Sequence, residues 1–247
     1  GAAEQYEANL QRNRQVIASS LQAAAEAGFD VNMLITACGS CRDSLMRHGI
    51  TGLDGTVLPH NDIVQLLVDR LPHGVSVSDE RIIYHSSCHP AWSGVKATKD
   101  GGKVARALER ITGASILLNP GCCGESGAGA YTCPDIYNVL RERKRERLES
   151  ALAGYKADAP ILVGCPSCKI GIARTLMTMD VRHPARGKDK STGDKPVIDT
   201  HRPVLHNAEW LAETLLGKNW LSIFKAQASR TEGHPGVRVV CMEERKR

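Results

Sequence analysis

The sequence predicts an α/β fold in which parallel sheets are flanked by helices and the chain runs as two related halves, the first incomplete. Three observations carry that expectation. Short apolar, β-rich runs recur along the chain. Between them lie longer stretches with helical periodicity, and that alternation is the pattern of a parallel sheet covered by helices. A strand running into Cys-x-x-Cys also occurs twice, as Leu34-Ile35-Thr36-Ala37-Cys38-Gly39-Ser40-Cys41 and as Ile161-Leu162-Val163-Gly164-Cys165-Pro166-Ser167-Cys168.

Taken in order, Ala8–Ala27 reads as a helix that ends at Gly28, a residue suited to the left-handed position after a helix. Val31–Ala37 reads as a strand, and Asp62–Leu71 as a helix with Asn61 as its N-cap. Arg81–Tyr84 is the next strand, and Lys103–Ile111 a helix closing on Gly113. Ala114–Leu118 is a strand. Asp135–Leu152 is a helix that begins at Pro134, where the missing N–H costs nothing, and stops at Gly154. Ala159–Val163 is the fourth strand, and Ala208–Leu216 the last helix, ending at Gly217. The polar, glycine-punctuated stretch 182–200 reads as an exposed, mobile loop, and the tail 229–247 as a single edge strand.

The repeat extends beyond the cysteines: Val57-Leu58-Pro59-His60-Asn61 parallels Val204-Leu205-His206-Asn207, each before an amphipathic helix. The offset is 127 residues (165 minus 38), which places the first-half counterpart of Cys122 before residue 1. The expected organisation is an incomplete first repeat at 1–80, a complete second repeat at 81–228 and a tail at 229–247, as the C-terminal part of a longer protein.

Composition excludes several function classes. The chain is 42% hydrophobic and 24% charged, ordinary for a globular protein. No run approaches the roughly 18 apolar residues of a membrane span, and the polar start Gly1-Ala2-Ala3-Glu4-Gln5 is not a signal peptide. A cytoplasmic location follows as the expectation. Aromatics are 4% of the chain and the net charge is +5, so stacking on nucleic-acid bases is not expected. The densest basic run, Arg141 to Arg147, alternates with acids and reads as a solvated helix face. The absence of a Gly-x-Gly-x-x-Gly or phosphate loop argues against nucleotide or flavin binding within this chain. Nine cysteines without an export signal point to metal or redox chemistry.

The chemistry concentrates in Cys88, Cys122-Cys123-Gly124 and Cys165-Pro166-Ser167-Cys168. Cys88, Cys122 and Cys165 each follow a predicted strand, and in a parallel sheet those ends share one edge. A Cys-x-x-Cys at a helix start brings two sulfurs together, with N–H donors and a favourable dipole for thiolates. Neighbouring residues of an extended chain point to opposite sides, so Cys122 and Cys123 suit different irons of a cluster better than one ion. Gly121 and Gly124 free the backbone to bend there, and Gly127 and Gly129 extend the loop. Five thiolates also exceed the four of a structural zinc site.

The series Cys88-x33-Cys122-Cys123-Gly124-x40-Cys165-x2-Cys168 resembles the cysteine-rich CCG domain. That domain occurs in the B subunit of heterodisulfide reductase, the iron–sulfur subunit of glycolate oxidase, lactate-utilisation proteins and the C-termini of large FAD-linked D-lactate dehydrogenases. Tyr84-His85-Ser86-Ser87-Cys88-His89 is similar to the family's first-cysteine segment, and Leu205-His206-Asn207-Ala208-Glu209 to its closing helix. The resemblance implies that Cys88, Cys122, Cys123, Cys165 and Cys168 hold a four-iron cluster, of the non-cubane type found in heterodisulfide reductase. It also implies an electron-transfer role in an FAD-linked oxidoreductase of 2-hydroxy acids, D-lactate or glycolate. FAD would belong to an upstream flavin domain or subunit, and a quinone or cytochrome would accept the electrons. The parent protein could then sit at the inner face of the membrane, with no span in this chain. The spacing before Cys165 is longer than the family's, and zinc remains an alternative cofactor.

Two other functions stay open: reduction of a disulfide at the cluster, and a zinc-stabilised interaction module. Nucleophilic catalysis by Cys88 with His89 leaves four cysteines unexplained. His85 and His89 are either hydrogen-bond donors beside the metal or buried strand-end histidines. Cys38 and Cys41 match only the last Cys-x-x-Cys of a first copy; they stand as vestigial, as a disulfide, or as ligands that complete a site in the parent. His60 and His206 read as helix caps, Cys133 and Cys241 as bystanders, and Trp92, Trp210 and Trp220 as packing residues.

Overall fold

The computed structural model of the chain describes residues 2–39, 41–42, 45, 49–70, 81–87, 97–125, 132–153, 159–182 and 202–230. In chain order the elements are α1 (Ala2–Glu26), β1 (Leu34–Thr36), β2 (His60–Asp62), α2 (Ile63–Arg70), β3 (Arg81–His85), α3 (Ala97–Thr112) and β4 (Ser115–Asn119). They continue with α4 (Pro134–Leu152), β5 (Ile161–Val163), α5 (Pro166–Arg182), β6 (Val204–His206), α6 (Asn207–Leu216) and α7 (Trp220–Arg230). No helix among the described residues is long and apolar enough to cross a membrane.

The expected parallel α/β architecture is present. Four strands form one sheet in the order β4-β3-β5-β6, and every adjacent pair is parallel. The chain enters at β3, crosses outward to β4, then returns past β3 to β5 and β6. The direction reverses at β3, so the crevice beyond its carboxyl end is the topological switch point where open α/β sheets place their sites.

Strand alternation explains the two covered faces. Ile82, Tyr84 and Leu162 face α2, α3 and α6, packing with Val64, Leu108, Ile111, Trp210 and Leu211. Ile83, Ile161 and Val163 face α4 and α5, packing with Leu148, Leu152, Ile172, Leu176 and Met179. Burial on both sides is why the central strands read as apolar runs.

The chain divides into two compact units, discontinuous in sequence: residues 1–35, 44–60 and 216–247 form one, residues 36–43 and 61–215 the other. In the first, α1 buries Leu21 against Ile50 and Leu58 and ends at Gly28, with φ +83°. The second contains the four-stranded sheet.

The structure differs from expectation in several places. Asp62, not Asn61, caps α2: its Oδ1 accepts the N–H of Val64 at 2.8 Å. Val204–His206, recognised only as a repeat, is an edge strand, because it pairs in register with Ile161–Val163. The expected loop at 182–200 and edge strand in the tail lie, but for Arg182, Ser229 and Arg230, outside the described residues.

Candidate metal centre

All the chemistry gathers at the carboxyl edge of the four-stranded sheet. β3 ends in His85, which is fully buried and, by alternation, shares the α4/α5 face with Ile83. β4 ends in Asn119 and leads into the loop Pro120 to Gly124. β5 leads through Gly164 to Cys165, with Cys168 in the first turn of α5. Cys123, Cys165 and Cys168 are all buried.

The thiols form a continuous set. Cys123 and Cys168 interact through their sulfurs, as do Cys122 and Cys123, and Cys168 and Cys165. His85, Cys123 and Cys168 each present a ligand atom within 4.8 Å of the other two. Of the five cysteines expected to act together, the structure unites Cys122, Cys123, Cys165 and Cys168; Cys88 and His89 lie outside the described residues. Gly127, Gly129, Trp92 and Cys241 also lie outside them. Cys38 reaches the set as well, its sulfur 3.8 Å from that of Cys165. Cys41 is exposed, as is Cys133, which makes no capping bond at the start of α4.

Crowding organises the protons. Donation from the Cys168 and Cys38 thiols, with the backbone N–H groups of Cys168 and Ser167, holds the Cys165 thiol far below its ordinary range. Cys168 is correspondingly raised, because it donates toward Cys123 and Cys165 and is buried. Cys123 is pushed up to about 11, first by its contact with Cys122. Packed thiols cannot all ionise without a compensating cation.

The vicinal loop is shaped by glycine and clamped by α4. Gly121 and Gly124 have φ of +105° and +73°. A β-carbon on Gly121 would overlap the Arg147 guanidinium, and one on Gly124 would overlap the Arg141 side chain and lie 3.0 Å from its backbone nitrogen. Arg141 Nε donates to the Gly124 carbonyl at 3.1 Å. Arg147 donates to the Pro120 carbonyl at 3.2 Å.

Lys144 lies between them and is buried. Its ammonium donates to the Asn119 carbonyl at 3.2 Å, to the Asn119 side-chain oxygen and to the Pro120 carbonyl. Burial pushes its pKa down to about 7, and the nearby Cys168, Cys123 and Cys122 oppose that fall. Arg141–Arg147 is therefore not the solvated face expected from its alternating charges. Only part of it behaves so, as Arg145 pairing with Glu142 and Glu149. Arg141, Lys144 and Arg147 hold the cysteine loop. Sequence reasoning also missed Gly171 of α5, where a β-carbon would sit 3.1 Å from the Cys123 carbonyl oxygen. Small size there lets the helix approach the loop, a signal visible only beside its neighbour.

Residues 82–173 match the sequence profile of the CCG cysteine-rich domain. Over that segment the chain is similar to this family. No curated protein and no solved structure matches the chain. The matched segment runs from β3 into α5, so the profile spans the three strand ends that carry the cysteines.

The residues gathered at this sheet edge fit a metal group. Both ring nitrogens of His85 are buried and make no hydrogen bond among the described residues, an expensive condition for a polar group unless something else is bound there. The donor set is otherwise thiolate, suited to iron–sulfur clusters and zinc.

Burial, with the Lys144 charge adding to it, pushes His85 down to about 3. Its ordinary value of 6.5 is higher, so between these two the unfolded chain binds a proton that the folded domain refuses. The contribution of His85 to the stability of the metal-free chain should be fully present above about pH 6.5. It should fall as pH drops toward 3, by at most about 1.4 kcal/mol per pH unit from this group. Urea unfolding of wild type and His85→Leu at pH 7, 5 and 4 checks this: the variant should show the shallower loss, and parallel losses would remove His85 as the cause.

Proposed function

We propose that the CCG domain is an electron-transfer module that holds an iron–sulfur cluster through Cys88, Cys122, Cys123, Cys165 and Cys168. The reading is supported above all by one observation: four of these thiols converge with an unpartnered, buried His85 at the sheet's switch point. The vicinal pair favours a multi-iron group over one ion, and Lys144 supplies a buried cation beside thiolates that would all be ionised when loaded. The cluster would supply one-electron chemistry, while the protein supplies thiolates, burial and a positive charge behind them.

The parent reaction is oxidation of a 2-hydroxy acid, D-lactate or glycolate, by an FAD-linked oxidoreductase. The flavin would lie in a domain or subunit outside this chain, and electrons would leave to a quinone or cytochrome. The parent would be cytoplasmic, held peripherally at the membrane. The close grouping of His85, Cys123 and Cys168 favours a second reading, one zinc ion in an interaction module.

Metal and acid-labile sulfide analysis of protein purified without oxygen separates the two. About four irons with matching sulfide per chain is the expected result. Stoichiometric zinc without sulfide would replace the first reading with the second.

A further inference from the structure

We propose that Cys38, from outside the matched CCG segment, is a ligand of the same centre and shares one metal ion with Cys165; the proposal rests on the metal-centre reading above. Cys38 and Cys165 are the equivalent cysteines of the two repeats, 127 residues apart, and their sulfurs lie 3.8 Å from each other. Two thiolates bound to one tetrahedral ion at about 2.3 Å have sulfurs about 3.8 Å apart. The first Cys-x-x-Cys is then neither a remnant nor a disulfide of its own: Cys38 turns inward and Cys41 stays exposed.

The approach is built rather than incidental. The backbone N–H of Cys41 donates to the Cys38 sulfur at 3.4 Å, which fixes the direction of that side chain. On the other side of Cys38, the Ala37 carbonyl lies 2.8 Å from His206 Nε2. The His206 ring is oriented by its second nitrogen: Nδ1 accepts the N–H of Ala208 at 3.2 Å. That leaves Nε2 protonated and donating to Ala37, so the end of β6 tethers the loop that carries Cys38. Glu209 fixes the same turn by accepting the His206 backbone N–H at 2.8 Å and Lys169 at 2.6 Å. Cys38 also packs against the buried set that contains Cys123, Cys165 and Cys168.

The test uses Co2+ alone as probe, added without oxygen to the full reduced chain, because thiolate-to-cobalt charge transfer reports bound sulfur. Wild type and Cys41→Ser should bind alike. Cys38→Ser should lose at least about tenfold in Co2+ affinity together with part of the charge-transfer absorbance. His206→Leu leaves every thiol in place but releases Ala37, and should weaken binding; His206→Gln keeps an N–H donor and should restore it. Unchanged affinity and absorbance in Cys38→Ser would overturn the assignment and leave the metal centre standing. Absence of any cobalt–thiolate band in wild type would overturn the metal reading itself, and the assignment with it.

Discussion

Replacing Cys168 by serine is expected to reduce bound metal to less than about a tenth of wild type while leaving the fold intact. Cys168 sits in the middle of the thiol set: its sulfur interacts with those of Cys123 and Cys165 and lies within 4.8 Å of a His85 nitrogen. A serine hydroxyl at that place is a hard, protonated donor where a soft thiolate is needed. Cys168 is also the thiol that links Cys165 to Cys123, so the loss should exceed that of Cys38→Ser. Serine is close in shape to cysteine and can still donate to its neighbours. Stability of the metal-free chain should therefore change by about 1 kcal/mol or less. Metal and sulfide content per chain, measured beside a urea transition, checks both halves. Full metal content in the variant would remove Cys168 from the ligand set.

Gly124→Ala should cost about 2–5 kcal/mol. Adopting φ +73° costs an alanine about 1–2 kcal/mol. The new methyl group would also meet the Arg141 side chain and backbone, and overpacking of that kind adds about 1–3 kcal/mol. The loop cannot retreat easily, because Lys144, Arg147 and Arg141 hold the carbonyls of Asn119, Pro120 and Gly124 from α4. Any relief must move Cys123, so metal binding should weaken along with stability. Gly217→Ala is the comparison: φ is +81°, but nothing lies within 4 Å of the added carbon, and the cost should be the backbone part alone. Chemical denaturation of both variants measures the difference; equal losses would show that the α4 clamp does not constrain the loop.

The parallel α/β fold was legible in the sequence because its causes are local. Strands such as Arg81–Tyr84 and Ala159–Val163 are apolar runs bounded by breakers, and Gly28, Gly113 and Gly217 mark helix ends through a conformation that glycine adopts freely. The convergence of Cys122, Cys123, Cys165 and Cys168 was legible for the same reason. All parallel strands point one way, so cysteines placed just past strand ends must reach one edge. Helix and strand patterns therefore determined the architecture and the position of the site.

The tertiary structure alone decided which of the remaining groups join that site. Lys144 carries the same local signal as Arg145: a basic residue in an alternating run. One is buried against the carbonyls of Asn119 and Pro120, the other pairs with Glu142 and Glu149, and the difference is which side of α4 faces β4. Cys38 and Cys165 are 127 residues apart, and Ala37 and His206 are 169 apart. Contacts at such separations form only when packing of the whole sheet repays the entropy of closing the chain between them. Side chains that act through neighbours near in sequence can be read from the sequence; those that act through neighbours supplied by packing become visible once the sheet and its helices are assembled.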